Sequence, residues 1–179
     1  MTPERYQQIL RWLNAHPAVR AAVVFLNRWL PTVPFLCYPL LIVLLNVQWA
    51  ALLRSGQRGA ALDFMQVIAQ AILVPGFVFL AGTLLRAKLN VPRPYEQPGF
   101  TPLVEKETKG KSFPSRHALS AAVLAAVWLY FYPAVGVVMI VVTLLICVLR
   151  VLAGVHFPRD VIVGAALGFA LGAAGMWLF

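Results

Sequence analysis

Charged residues are scarce in this chain of 179 residues: Asp, Glu, Lys and Arg make up only 12%, against roughly 25% in an average soluble domain. Apolar residues make up 61%, and the mean hydropathy is +0.80. A chain of this length cannot bury so much apolar surface in one core surrounded by water. The composition therefore predicts a protein whose solvent is largely lipid.

Acidic residues are scarcer still, with six Asp and Glu against fifteen Lys and Arg, so the formal net charge is +9. A basic balance favours nucleic acid, an anionic membrane surface or an acidic substrate as the partner. The apolar composition argues against nucleic acid. We expect the partner to be anionic lipid, as surroundings or as substrate, and both a monomer and a homodimer fit the sequence.

Cysteines are few as well: Cys37 and Cys147 each lie in an apolar run and lack the spacing of metal ligands. We interpret both as small apolar side chains rather than as a disulfide or a metal site. No cleavable signal peptide is expected, because arginines are spread through the first 30 residues instead of preceding an apolar core.

Four long stretches contain no charged residue, namely 31–53, 64–85, 118–149 and 161–179. A membrane-spanning helix needs about 20 apolar residues, so the third stretch is too long for one span. Pro133, beside three aromatic residues, marks a turn that divides it into spans near 115–132 and 134–153. The expected fold is all-α, a polytopic bundle of about five transmembrane helices.

Residues 1–30 differ from the rest, because apolar residues recur there at helical spacing with Arg and Gln between them. Pro17 divides this segment, which predicts one or two amphipathic helices at the membrane interface. An ordinary hydrated arm is the alternative. We expect no catalysis in this segment and assign the membrane domain to residues 31–179.

Glycines recur at four-residue spacing in the last span, at positions 164, 168 and 172. Small residues on one face let helices approach closely in lipid. We interpret this face as an intramolecular contact, with dimerisation as the alternative.

Polar residues are concentrated in three clusters, which run from Arg86 to Pro94, from Ser112 to His117 and from Arg150 to Asp160. With five spans, the loops that carry these clusters fall on one side of the membrane, together with the N-terminus. Polar side chains from all three clusters are therefore expected to meet, and loops held by a rigid scaffold are where chemistry tends to occur.

Four arginines on this side have guanidinium groups suited to binding phosphate oxygens in pairs. They are Arg86, Arg93, Arg116 and Arg150. Any one of them alone could instead reach lipid headgroups. Ser115 follows Pro114 at a predicted helix N-terminus, where free N–H groups favour an anion.

Two of the three histidines, His117 and His156, lie in the same clusters. Asp160 follows His156 by four residues and can accept from one ring nitrogen, which leaves the other free as a nucleophile. These side chains could also bind zinc, but the surrounding arginines would repel a cation. We expect neither a metal ion nor another cofactor, and we interpret His16 as a surface residue.

The clusters resemble the motifs of the type 2 phosphatidic acid phosphatase superfamily of membrane lipid phosphatases. The first family motif is a basic residue followed, after six residues, by Arg-Pro, which is the spacing from Arg86 to Arg93-Pro94. The second motif, Pro-Ser-Gly-His, is matched at three of four positions by residues 114–117.

The third family motif is Ser-Arg, five residues, His, three residues and Asp. Arg150, His156 and Asp160 have this spacing. The resemblance covers residues from about 60 to 179 and implies a bundle of membrane helices with lipid phosphatase activity.

Three positions depart from the family motifs. Arg86 replaces the usual lysine and keeps its charge, while Arg116 replaces glycine and suits a second phosphate or a headgroup. Leu149 replaces the serine before Arg150, so one supporting hydrogen bond is expected to be absent.

The resemblance also implies a role for each residue. His156 attacks phosphorus and forms a phosphohistidine, Asp160 holds its ring in the right tautomer, and His117 gives a proton to the leaving lipid oxygen. The implied phosphate-binding residues are Arg86, Arg93, Ser115, Arg116 and Arg150.

The first choice of substrate is undecaprenyl diphosphate, since an additional arginine suits a diphosphate. Phosphatidylglycerophosphate, phosphatidic acid and a lipid A phosphate are alternatives, as is phosphoryl transfer to another acceptor. A lipid or anion transporter is a different class of function, but it needs neither a nucleophile nor an acid.

Two signals disagree on which side of the membrane carries the site. The resemblance favours the outer face of the cytoplasmic membrane. Thirteen of the fifteen Lys and Arg residues, all but Arg54 and Arg58, fall on the side of the motifs, which favours the inside.

Overall fold

The computed structural model describes residues 1–178, which form seven α-helices joined by short turns and one long loop. The helices are α1 (Pro3–Ala15), α2 (Pro17–Trp29), α3 (Val33–Arg54), α4 (Arg58–Leu89), α5 (Arg116–Phe131), α6 (Pro133–Leu152) and α7 (Pro158–Trp177). Two short 3-10 turns occupy Leu30–Thr32 and Pro94–Glu96, and the described residues contain no strand. The all-α fold class predicted from the sequence is confirmed.

The last five helices correspond to the predicted spans, although Phe179, the final residue of the last one, lies outside the described residues. Four segments are long and apolar enough to cross a membrane, namely Pro17–Arg54, Arg58–Glu96, Pro133–Leu152 and Pro158–Trp177. The remaining helix, α5, has 16 residues and is buried without interruption from Ala118 to Trp128. It packs against α3, α4, α6 and α7, so protein rather than lipid surrounds it. The chain is a multi-pass membrane protein.

The second span is longer than its uncharged stretch, residues 64–85, predicted. Helix α4 has 32 residues, about 48 Å at ~1.5 Å per residue, whereas the hydrocarbon layer is about 30 Å thick. Its last turn carries Arg86 and Lys88 and ends where Asn90 adopts a left-handed conformation, with φ of 42°. Arg86 therefore lies on a helix and not, as predicted, in the loop, because capping rather than hydropathy decides where the helix ends.

The glycine face of α7 packs directly on α5. A Cβ atom on Gly164 would lie 2.7 Å from the carbonyl oxygen of Ser115, and one on Gly168 would overlap the backbone of Leu119. Gly172 faces the same helix. This close approach is the intramolecular contact predicted from the spacing, and it fixes the first turn of α7 beside the first turn of α5.

Replacing Gly168 with alanine is expected to destabilise the bundle by about 1–3 kcal/mol, the usual cost of overpacking. The obstacle is backbone, which cannot rotate away as a side chain would. Gly76→Ala is the matched control, since nothing lies within 4 Å of a Cβ atom there. Thermal unfolding in detergent should show a lower midpoint for Gly168→Ala than for Gly76→Ala, and equal midpoints would contradict the close packing.

The N-terminal segment forms two helices divided at Pro17, where the sequence predicted one or two. Buried Leu13 of α1 and Val23 of α2 pack against Leu149, near the end of α6. The position of these helices at the membrane interface stays a prediction, as does the domain boundary at residue 30. Their packing on α6 was not predicted and brings them to the end of the bundle that carries the polar clusters.

Candidate active site

The three polar clusters meet at one end of the bundle. Arg86 lies in the last turn of α4, Ser115 directly precedes the first residue of α5, and His156 lies in the short loop between α6 and α7. The backbone N–H of Ser115 donates to the carbonyl oxygen of Asp160 at 2.8 Å. This bond joins the first turns of α5 and α7, so the second and third clusters are held together.

His156 is buried at the centre of this region, with 1% of its surface exposed. Its Nδ1 atom lies 3.6 Å from Oδ2 of Asp160 and 3.4 Å from Oγ of Ser112. The Ser112 hydroxyl donates to the same Oδ2 at 2.6 Å, and the N–H of Phe157 donates to it at 3.0 Å. Because the Nδ1 side of the ring faces these groups, Nε2 is the nitrogen that faces away from Asp160.

Burial lowers the pKa of His156 from 6.5 to about 4, and the positive charges of Arg150 and Arg93 act in the same direction. Asp160 opposes them, because its carboxylate favours the protonated ring. The imidazole is therefore neutral at pH 7, the form in which a ring nitrogen has a free lone pair.

Ser112 was not among the predicted site residues. It is fully buried, and its hydroxyl lies between the carboxylate of Asp160 and the ring of His156. The only signal in the sequence is its place at the start of the second cluster, which does not distinguish it from an ordinary loop serine.

Two buried arginines lie near His156, and each is held by one partner. Nε of Arg93 donates to the carbonyl oxygen of Gly110 at 2.9 Å. Nη1 of Arg150 donates to Oδ1 of Asn27 at 3.1 Å, while its Nε has no partner among the described residues. A guanidinium has five N–H donors, so both side chains keep donors for an anion.

Arg86 and Ser115 add to this set of donors. Nη2 of Arg86 donates to the carbonyl oxygen of Lys111, which ties the end of α4 to the loop before α5. The Ser115 hydroxyl is fully buried and has no hydrogen-bond partner within residues 1–178. A buried polar group without a partner is costly, and an oxyanion bound beside it would remove that cost.

Arg116 and His117 lie in the first turn of α5, on its side toward α3 and α4. Together with Phe35, Phe79 and Ser120 they line a cleft of about 270 Å³, here called the His117 cleft. Arg116 is exposed, and its Cζ atom lies 5.7 Å from the centre of the Phe79 ring. Arg116 therefore differs from the other predicted arginines, which are at least partly buried.

The N-terminal helices also reach this region. The hydroxyl of the fully buried Tyr6 donates to the carbonyl oxygen of Leu152 at 3.0 Å and accepts from the N–H of Leu103 at 2.9 Å. Its ring stacks on Phe100 with centroids 4.3 Å apart. Tyr6 thus links the end of α6, which leads into the His156 loop, to the loop before α5.

Lys106, in the same loop, is a further cation near the arginines. Partial burial, and then the charges of Arg150 and Arg93, lower its pKa. Nothing in the sequence separates Lys106 from its neighbours Lys109 and Lys111, and it was not predicted.

No three His, Cys, Asp or Glu side chains of residues 1–178 are gathered as a metal site would require. Cys37 and Cys147 are free and half-buried.

The chain is similar to known proteins in sequence and in structure. The sequence model of the PAP2 superfamily matches residues 64–179. The crystal structure of LpxE from Aquifex aeolicus is similar at a TM-score of 0.54 and 25% identity, over 76% of this chain and 86% of that one. The first transmembrane PAP2 type phosphatidylglycerolphosphate phosphatase from Bacillus subtilis has a TM-score of 0.48 and 24% identity, over 97% and 89% of the two chains. No curated protein sequence matches the chain.

Proposed function

This chain belongs to the PAP2 superfamily, and we propose that it hydrolyses a phosphorylated membrane lipid through a phosphohistidine at His156. The observation that carries the proposal is the environment of that ring. Asp160 and Ser112 face its Nδ1 side, and the charges of two buried arginines act on it. The apolar helices around this end of the bundle would hold the lipid chain while the phosphate enters the polar region.

The proposed reaction has two steps. Nε2 of neutral His156 attacks phosphorus, and the bond from phosphorus to the lipid oxygen breaks as the P–N bond forms. His117 gives a proton to the leaving oxygen, while Asp160 stabilises the positive charge on the His156 ring. Water then attacks the phosphohistidine, returns a proton to His117 and releases inorganic phosphate.

Positive charge for the phosphoryl group is supplied by the protein. The guanidinium groups of Arg86, Arg93 and Arg150 would neutralise the equatorial oxygens, and the buried hydroxyl of Ser115 would donate to one of them. Arg93 and Arg150 keep N–H donors without a partner among the described residues, as does the hydroxyl of Ser115, which supports the assignment.

We propose that hydrolysis requires no metal ion, since the arginines supply the charge that a metal ion supplies in other phosphatases. EDTA is therefore expected to leave the rate of phosphate release unchanged. Strong inhibition by EDTA that an added divalent cation reverses would overturn this mechanism.

The leading candidate substrate is undecaprenyl diphosphate, because Arg116 supplies one cation more than the family motif provides. A panel of lipids in detergent tests this choice, with undecaprenyl diphosphate and monophosphate, phosphatidylglycerophosphate, phosphatidic acid and a lipid A phosphate. We expect the highest kcat/KM for the diphosphate. A higher value for another lipid would replace the substrate, and no phosphate release from any lipid would favour a transporter.

We further propose that the site lies at the outer face of the cytoplasmic membrane. The resemblance favours this face, and several of the positive charges on this side belong to the proposed phosphate site, so they are weak signals of orientation. An exposed cysteine at position 107, introduced as Glu107→Cys after both native cysteines are replaced by serine, should react in intact cells with a maleimide that cannot cross membranes. Reaction only after the cells are opened would place the site inside.

Tyr6 is proposed as a positioning residue for the His156 loop. Tyr6→Phe keeps the stacked ring but removes two hydrogen bonds, and we expect kcat to fall about tenfold with KM little changed, since ~1.4 kcal/mol is tenfold in rate. Tyr38→Phe is the matched control, because it loses a 2.9 Å hydrogen bond to Ala71 within the core. An equal loss of kcat in both variants would show a general effect on stability instead.

A further inference from the structure

We infer that the His117 cleft is a second anion subsite, which holds the leaving-group phosphate of a lipid diphosphate. This inference rests on the proposed function and narrows its substrate class. The two residues that carry it, Arg116 and Ser120, lie one helical turn apart on α5 and line the same cleft.

Arg116 supplies a cation that the fold leaves unpaired. Its guanidinium lies over the ring of Phe79, and no carboxylate of residues 1–178 forms an ion pair with it. Arg116 is also the first residue of α5, where the helix dipole and free N–H groups favour an anion. Its charge is therefore available to a ligand in the cleft.

Ser120 is an independent sign of a ligand. Only 2% of its surface is exposed, and its hydroxyl has no hydrogen-bond partner among the described residues. It follows His117 by three residues and Arg116 by four, so the three side chains share one face of α5. A buried hydroxyl without a partner is costly, and a phosphate oxygen in the cleft would accept its proton.

The position of the cleft suits the leaving group. In the proposed attack on a diphosphate, the bond from the terminal phosphorus to the bridging oxygen breaks, and its electron pair stays on that oxygen. The oxygen takes the proton of His117 and becomes part of a lipid monophosphate. Because His117 lines the cleft, the phosphate of this product would lie beside Arg116 and Ser120.

A lipid monophosphate would place a different leaving group in the same cleft. Its leaving group is the lipid hydroxyl, which brings no second phosphate. Arg116 and Ser120 should therefore contribute more to hydrolysis of a diphosphate than of a monophosphate. Phe35 and Phe79 give the cleft apolar walls, which suit the first carbons of the lipid in both cases.

The test compares kcat/KM for undecaprenyl diphosphate and undecaprenyl monophosphate, two substrates with the same chain. We expect Arg116→Gln to lower the diphosphate-to-monophosphate ratio at least tenfold and Ser120→Ala to lower it about threefold. Lys88→Gln is the matched control, since it removes one positive charge from an exposed position at the end of α4. Its ratio should stay within twofold of the unchanged protein.

Three results would overturn the subsite. The first is an equal proportional loss on both substrates, which would place Arg116 at the scissile phosphate or in the fold. The second is an unchanged ratio in both variants. The third is that the protein without substitutions hydrolyses the monophosphate but not the diphosphate. This result would overturn the subsite but not the proposed phosphatase function. Failure of the unchanged protein to release phosphate from any lipid would instead overturn that function.

The inference can still be tested if one of the two variants fails to fold. The Ser120 hydroxyl has no partner to lose, so Ser120→Ala should keep the thermal unfolding midpoint. If Arg116→Gln fails to fold, the ratio measured for Ser120→Ala decides the inference alone.

Discussion

Replacing His156 with alanine is expected to lower phosphate release at least about 10⁴-fold, since removal of a covalent nucleophile leaves only binding and charge stabilisation. No other side chain can take over the attack. His117 is proposed as the proton donor to the leaving oxygen, and the hydroxyl of Ser112 donates to Asp160. The small cavity left by the imidazole should not prevent the variant from inserting into membranes.

The covalent intermediate gives this prediction a second measurement. Brief exposure to substrate labelled in its terminal phosphate should leave label on the protein that is stable in alkali and lost in acid, as expected for phosphohistidine. His156→Ala should carry no such label. His16→Ala is the control, because His16 is exposed between α1 and α2. Turnover of His156→Ala within 100-fold of the unchanged protein would mean that another group is the nucleophile.

Asp160→Asn is expected to lower kcat by about 10²–10⁴-fold, as loss of the carboxylate does in a Ser-His-Asp triad. The amide oxygen can still accept from the N–H of Phe157, so the start of α7 should be preserved. The amide has no charge to stabilise the ring when it becomes positive. Its NH₂ group also competes as a donor with the hydroxyl of Ser112.

A separation of kcat from KM tests this role. Asp160 faces Nδ1 of His156 and not the phosphate, so KM should change little in Asp160→Asn. Ser112→Ala should have a smaller effect, about tenfold in kcat, because it removes one neutral donor to the carboxylate. A large rise in KM with kcat unchanged would indicate that Asp160 acts in binding.

Local patterns were enough to predict the spans and the meeting of the three clusters. Charge-free runs and Pro133 divide the chain into its apolar helices, and the number of spans places both polar loops on one side. A spacing of four residues predicts the contact between His156 and Asp160, because His156 lies in a short turn and Asp160 in the first turn of the helix that follows it. Hydropathy did not predict the end of α4, which depends on the conformation of Asn90.

The contacts that were missed join residues far apart in the sequence. Tyr6 and Leu152 are 146 positions apart, and Asn27 and Arg150 are 123 positions apart. Their periodicity shows only that the N-terminal helices are amphipathic, not which surface they cover. Such pairings depend on how the helices fold back on the bundle, which no local pattern specifies.

The packing of the N-terminal helices on α6 determines which segments of this phosphatase can be exchanged with those of a relative. Leu149 stands where the family motif has serine, and it packs against Leu13 and Val23, while Asn27 accepts a hydrogen bond from Arg150. Arg150 thus has a hydrogen-bond partner from the N-terminal helices, which lie outside the region that the family model matches, where the motif would supply a serine next to it. A chimera that joins residues 64–179 to the N-terminal helices of a relative would lose the contacts of Leu149 and Arg150 with these helices. The end of the bundle that carries the site and its N-terminal helices therefore have to be exchanged together.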